Sequence, residues 1–161
     1  PPPPPPPPRP QPQREAVDIP RRYGFHATLW PPRALPDDAS GYAFLREVDM
    51  LASRVPRFPM PALVPGWRDD FIALRPLETL AEDHPLHRLA DAKRAPAQRF
   101  HLTLTNPLPA DASLRQALWD AAAHHFAAAL AQPLWAETVS VFVEPAPSAD
   151  LVLLRRVALA A

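Results

Sequence analysis

The sequence has no cysteine and only three glycines. The missing cysteine excludes a disulfide framework, Cys-ligated zinc and a thiol nucleophile. Gly24, Gly41 and Gly66 are isolated, so neither a P-loop nor a dinucleotide-binding fingerprint can be written from them. No Gly-x-Ser-x-Gly nucleophile elbow occurs either. Excess charge of one sign is missing too: 17 Lys+Arg balance 17 Asp+Glu. That balance argues against bulk binding of duplex DNA, though not against a local basic pocket. No apolar run approaches the ~20 residues that span a bilayer, and no signal-peptide core is visible. A cytoplasmic enzyme or binding domain is the expectation.

Proline is what the chain has in excess, 26 in 161 residues. Pro1–Pro8, Pro10 and Pro12 open it. Residues 1–16 are expected to form a disordered, Pro-rich arm of polyproline II character. Pro1–Pro12 has two readings, a ligand for a PPII-binding partner and a bland tail or linker. Residues 17–161 are expected to form one domain, long enough to bury a core.

Periodicity divides that domain into short elements. Arg22–Trp30 reads as a strand ended by Pro31-Pro32. Asp37–Val55 reads as a helix with apolar Phe44, Leu45, Val48, Leu51 and Val55. Phe58–Val64 and Asp70–Leu74 read as strands joined through Pro65-Gly66, the first an edge strand because of its prolines. Leu80–Ala95 reads as a short helix interrupted at Pro85, with Glu82-Asp83 near its start. Arg99–Asn106 reads as a strand, and Ser113–Ala131 as an Ala-rich helix burying Leu114, Leu118, Ala121 and Phe126. Thr138–Val143 and Leu151–Val157 close the chain as strands. The order is that of an α+β domain with helices packed on antiparallel or mixed sheets.

One segment occurs twice. Phe25-His26-Ala27-Thr28-Leu29-Trp30-Pro31-Pro32 is echoed by Phe100-His101-Leu102-Thr103-Leu104-Thr105-Asn106-Pro107, with five of eight positions identical. Strand alternation sends Phe25, Ala27 and Leu29 to one side and His26, Thr28 and Trp30 to the other. In the second copy Phe100, Leu102 and Leu104 are the inward set, and Arg99, His101, Thr103 and Thr105 share the opposite face. Each copy thus presents a His and a Thr about 7 Å apart on one strand face. Two such strands facing one phosphodiester supply a complete acid–base set. A neutral His takes a proton from the nucleophile and a protonated His gives one to the leaving oxygen. The Thr hydroxyls donate to the non-bridging oxygens. The scheme calls for no metal and no cofactor. Read alone, a single His-x-Thr is more often a half-buried polar pair. It is the second copy in matching context that favours chemistry.

The paired His-x-Thr-Leu segments, His26–Leu29 and His101–Leu104, resemble the signatures of the two-histidine phosphoesterases (LigT-like and cyclic nucleotide phosphodiesterase relatives). Arg22–Leu29, Phe100–Thr105 and Phe142–Pro147 are most similar to a branch of phosphonate-metabolism proteins within that superfamily. The resemblance covers roughly residues 20–158. It implies a bilobed fold of two pseudo-duplicated lobes, with the motif strands facing a central cleft and helices outside. It implies hydrolysis or ligation of a small cyclic phosphodiester: a nucleoside 2′,3′-cyclic phosphate, a ribosyl cyclic phosphate or an RNA end. His26 and His101 would be the acid/base pair, with Thr28 and Thr103 on the phosphate. Tyr23, Trp30, Arg22, Arg99 and Thr105 are the substrate-binding candidates around them. Each arginine is otherwise surface charge, and Tyr23 is otherwise core. The His84/His87 and His124-His125 pairs lack further ligands for zinc and read as surface histidines.

The chain departs from that pattern in three places. The apolar strand expected before the first motif is replaced by polyproline. The segment between Leu74 and Phe100 is short. Trp30 stands where relatives often carry Lys. The alternative is therefore a catalytically impaired or non-catalytic nucleotide- or phosphate-binding domain of the same fold.

Overall fold

The computed structural model describes residues 15–90 and 100–161. Its elements in chain order are α1 (Asp18–Tyr23), α2 (Asp38–Ala52), β1 (Phe58–Pro59), β2 (Leu63–Arg68), β3 (Phe71–Pro76), α3 (Leu86–Leu89), β4 (Leu102–Thr103), α4 (Ala112–Leu130), β5 (Trp135–Ala136), β6 (Thr138–Val143) and β7 (Val152–Ala158). The architecture is mixed α+β, with three antiparallel sheets among the described residues: β2-β3-β4, β1-β5 and β6-β7.

The two long helices start where the sequence provides caps. The Asp37 carboxylate accepts the Ser40 amide at 2.7 Å, and the Asp111 carboxylate accepts the Leu114 amide at 2.9 Å. α2 buries Val48 and Ala52. α4 buries Leu118 and packs Leu114, Trp119 and Ala122 inward. Ala121, expected inside, is exposed, because the i,i+4 row from Leu118 runs through Ala122.

Three expected elements differ. The strand expected over Arg22–Trp30 begins instead as helix α1, with Pro20 in its first turn, where no amide is needed. Asp18 at its start and Arg21-Arg22 at its end suit the helix dipole. Gly24 then ends it at φ 71°, ψ 177°, a conformation essentially restricted to glycine. The β2–β3 turn lies at Asp69-Asp70, with Asp69 at φ 52°, and Pro65-Gly66 is inside β2. β2 is the outer strand of its sheet, which is how it tolerates Pro65. The third helix is only Leu86–Leu89, beginning after Pro85, with no acid in its first turn, so Glu82-Asp83 lie outside it. The remainder of the expected Leu80–Ala95 helix runs into residues outside the described set.

Two apolar clusters hold these elements. One gathers Ala52, Val55, Phe58, Leu63, Leu80, Leu86, Leu89, Phe100 and Leu159, with Ala27, Leu29 and Leu102 packed against it. The other gathers Ala16, Ile72, Leu108 and Leu118. Ala16, placed by sequence in the arm, is buried; residues 1–14 of that arm lie outside the described set. Asn106 fastens this start of the domain. Its Nδ2 donates to the Glu15 carbonyl and its amide to the Ala16 carbonyl, while its Oδ1 accepts the Ile19 amide.

Candidate active site

The two motifs meet at one backbone bridge. Ala27 pairs antiparallel with Leu102, and Leu102 pairs in turn with Leu74 of β3. Ala27 and Leu102 both pack toward the first apolar cluster. Their flanking residues therefore point to the other side of the sheet. Antiparallel register puts His26 across from Thr103 and Thr28 across from His101. Alternation about that single bridge assigns the four motif residues to one face, each His opposite the other motif's Thr. In ideal antiparallel geometry diagonal positions such as those of the two histidines have Cβ atoms about 7–8 Å apart.

His26 has a defined proton arrangement. Its Nδ1 lies 3.1 Å from the Gly24 carbonyl oxygen. A carbonyl can only accept, so Nδ1 carries the proton, and in the neutral ring Nε2 offers its lone pair. The Thr28 hydroxyl lies 3.4 Å from that Nε2. Gly24 thus both turns the chain out of α1 and orients the imidazole. The His26 ring is 6.0 Å from Phe142, which sits at a register shift between Val141 and Phe142 in β6. Bulges of this kind re-aim a side chain. The His101 ring lies 5.8 Å from Phe71 of β3. Each motif histidine therefore has a phenylalanine beside it.

The other expected site residues are placed differently. Thr105 is buried, and its hydroxyl accepts the Ile72 amide at 3.0 Å, so it completes β3. The strand bends after Thr103: the Leu104 and Thr105 amides both turn to the Ile72 carbonyl. Trp30 is equally committed. Its indole N–H donates to the Leu89 carbonyl at 2.7 Å, and its ring packs 5.9 Å from Phe44 of α2. It braces α2 and α3 because the chain bends at Leu29-Trp30 and ends the alternation. Arg22 donates to the carbonyls of Ser148 and Ala149 and lies 3.6 Å from the Asp150 carboxylate. Its role is to tie the β6–β7 turn to the first motif. Tyr23 carries the Arg22 guanidinium 5.3 Å above its ring. Phe25, expected in the core, is 60% exposed and stacks at 5.5 Å on Phe126 of α4, because it still belongs to the turn after Gly24. Arg99 lies outside the described residues.

Among the described residues no three His, Asp or Glu side chains converge as a metal-holding group. His84 is not a plain surface histidine: its Nδ1 accepts the Leu86 amide and its ring meets Phe58 edge-on. Burial, and then the neighbouring His87, lower its pKa, against a smaller opposing pull from Asp83. None of the helices described is long and apolar enough to cross a membrane.

The sequence reading did not weigh Arg75. Sheet register carries it onto the motif face. Ala73 pairs with Thr103, so Phe71, Ala73 and Arg75 share the face of Thr103. Val64, Gly66 and Arg68 of β2 pair with Arg75, Ala73 and Phe71 and join them there. The usable signal was the hairpin turn: placing it at Asp69-Asp70 instead of Pro65-Gly66 fixes this register.

Comparison with known proteins gives two findings. Residues 96–152 match the model of a family described as a protein of unknown function (DUF1045). The chain is also 34% identical, over 172 aligned positions, to the ribose 1,5-bisphosphate phosphokinase PhnN of Laribacter hongkongensis (strain HLHK9). That alignment takes in 89% of this chain and 41% of the relative, so the chain spans about two fifths of that protein's length. No solved structure matches. The chain is thus similar, over the stretch that holds the second His-x-Thr, to a family defined without a function, and to part of a sugar-phosphate enzyme.

Proposed function

We propose that this chain is a phosphodiesterase for a small cyclic phosphodiester, a nucleoside 2′,3′-cyclic phosphate or a ribosyl cyclic phosphate, working by His/His acid–base catalysis. The observation that carries the reading is the Ala27–Leu102 bridge, which brings His26, Thr28, His101 and Thr103 to one sheet face. Water attacks phosphorus and gives its proton to His26 Nε2, the acceptor of the neutral ring when Nδ1–H is bonded to Gly24. The P–O bond to the ring alcohol breaks, and protonated His101 delivers a proton to that oxygen. Thr28 and Thr103 donate to the non-bridging oxygens as charge builds there. The product is a phosphomonoester, and both histidines return to their starting states by exchanging protons with water. We further read the α+β fold as the bilobed, LigT-like arrangement, with one His-x-Thr from each pseudo-duplicated lobe. The resemblance of both motifs to the phosphonate-metabolism branch supports that reading. The relative that is itself a sugar-phosphate enzyme fits the same substrate chemistry. Its phosphokinase activity is not carried over, because the chain spans about two fifths of its length.

The test is hydrolysis of nucleoside 2′,3′-cyclic phosphates and ribosyl 1,2-cyclic phosphate in excess chelator. Turnover should survive chelation and fall by about 10² or more in His26→Ala and in His101→Ala. A second reading, a binding domain without turnover, is favoured by one observation: helix α1 precedes the first motif where a sheet strand was expected. It would show as product binding by a folded protein that hydrolyses nothing.

A further inference from the structure

We propose that Trp67 and Trp119 form a docking platform for polyproline, and that its occupant is this chain's own segment Pro1–Pro12. The platform lies where α4 packs on the outer strand β2. Trp67 pairs with Ile72, so it stands on the sheet face opposite the two motifs. The two indole rings stack 6.0 Å apart with 10° between their planes. The Arg115 guanidinium lies 4.9 Å from the centre of the Trp67 ring. Arg115 and Trp119 are i,i+4 neighbours, so one side of α4 presents both. Along that face of β2 Leu63 is buried and Pro65 half-buried, but Trp67 is 37% exposed. Among the described residues neither indole N–H has an acceptor, and the buried Arg115 Nε has none. Proline rings lie on aromatic surfaces of this kind, and a polyproline II backbone leaves its carbonyls without internal partners. Stacked indoles with unused donors meet both needs.

The place where the arm enters the domain selects the occupant. Ala16 is buried with Ile72, Leu108 and Leu118, and Trp119 packs against that same cluster. Asn106 clamps the chain there through the Glu15 and Ala16 carbonyls. Pro12 precedes Ala16 by four residues and Pro8 by eight. At about 3.1 Å per residue these prolines reach about 12 Å and about 25 Å from Ala16. Trp119, on the cluster that holds Ala16, lies within that reach, and Trp67 is one ring contact further. Charge agrees. Residues 1–14 carry Arg9 and Arg14 and no acid. The platform is bordered by Asp69 and Asp70 just after β2 and by Asp120 beside Trp119, all exposed. None of the three is in an ion pair among the described residues. A tether this short gives an effective concentration of about 1 mM, so a contact with a Kd of about 0.1 mM is about nine-tenths formed.

The experiment follows the indole N–H signals of the full chain by nitrogen–proton correlation NMR, with Trp67 and Trp119 assigned through Trp67→Phe and Trp119→Phe. Wild type is compared with a full-length variant in which Pro1–Pro8, Pro10 and Pro12 are all replaced by serine. In that variant the Trp67 and Trp119 signals should move and their exchange with water should quicken by about tenfold, the protection that nine-tenths occupancy gives. Trp30 and Trp135 should stay still. A free peptide of residues 1–14, added to the serine variant, should return both signals to their wild-type positions with one Kd of about 0.1 mM. Wild-type positions should not change on dilution, because the contact lies within one chain. Unmoved Trp67 and Trp119 signals in the serine variant overturn the proposal. Movement of all four indoles, or movement that the peptide does not reverse, overturns it too. Wild-type signals that shift on dilution would give the platform to the arm of a second copy and contradict the occupant proposed.

Discussion

Ala27 and Leu102 pair across antiparallel strands, and each is the middle residue of a His-x-Thr. That coincidence of register gives the site its local two-fold character. A slip of one residue would send one motif's His and Thr into the apolar cluster that Ala27 and Leu102 now touch. The catalytic reading therefore depends on a backbone relationship as much as on the side chains.

In the proposed reaction the two histidines have different roles, and His26 takes the proton at Nε2, the ring nitrogen that its Nδ1 bond to Gly24 leaves over. The kcat/KM profile should be bell-shaped, with the acid limb from His26 and the alkaline limb from His101. In His26→Ala the residual rate should lose its acid limb, and in His101→Ala its alkaline limb. A pH–rate series on the three proteins checks this. The same limb lost in both variants would mean the roles are not divided in this way.

Thr105 tests whether the second motif ends at Thr103. Thr105→Val keeps shape but leaves the buried Ile72 amide without its acceptor. Stability should fall by about 1–3 kcal/mol. KM for the preferred cyclic phosphate should not move. Urea unfolding beside steady-state kinetics reads both, and a raised KM with unchanged stability would return Thr105 to the site.

Arg22 should act as a positioning residue. It holds Ser148, Ala149 and Asp150 next to the first motif, and the same hairpin brings Phe142 to His26. Arg22→Ala should speed hydrogen exchange across residues 144–151, including the Ala149 amide now bonded to Ala146. Arg22→Lys should not restore protection, since one ammonium cannot reproduce the fork. Unchanged exchange in Arg22→Ala would show that the turn holds itself.

His84 sets a pH dependence of stability away from the site. Its pKa is lowered in the folded chain, chiefly by burial, so the unfolded chain binds the proton more readily. Stability then rises with pH through the window below the ordinary histidine value of about 6.5, and is lost as pH falls through it. Protonation also removes the acceptor for the Leu86 amide. Thermal melts from pH 7.5 to 5 should show Tm falling below about pH 6.5, with a shallower fall in His84→Gln. An equal slope in the variant would assign the acid lability to other groups.

The duplicated motif was legible in the sequence because strand alternation alone separates Ala27 and Leu102 from their polar neighbours. The two long helices were legible through their apolar spacing, Val48 and Leu51 in one and Leu114 and Leu118 in the other; the structure adds the caps Asp37 and Asp111. Helix α1 had its signals in view, Asp18, Pro20, Arg21-Arg22 and Gly24, but the aromatic alternation of Tyr23 and Phe25 outweighed them. Pro65-Gly66 was read as a turn because proline and glycine usually punctuate chains. Tertiary placement decided otherwise: β2 is an outer strand, and its glycine accommodates Arg75. Trp30 and Thr105 leave the motif face for a common reason. Alternation holds only while a strand stays straight, and both lie just past the point where the chain bends.

The most direct measurement is histidine-detected NMR of the full chain titrated with a nucleoside 2′-phosphate, the ring signals assigned through His26→Gln and His101→Gln. The expected result is that His26 and His101 shift together with one Kd, while His124 and His125 stay still. Shifts at only one motif histidine, or two unrelated Kd values, would mean that the motifs do not flank one phosphate and would contradict the phosphodiester site.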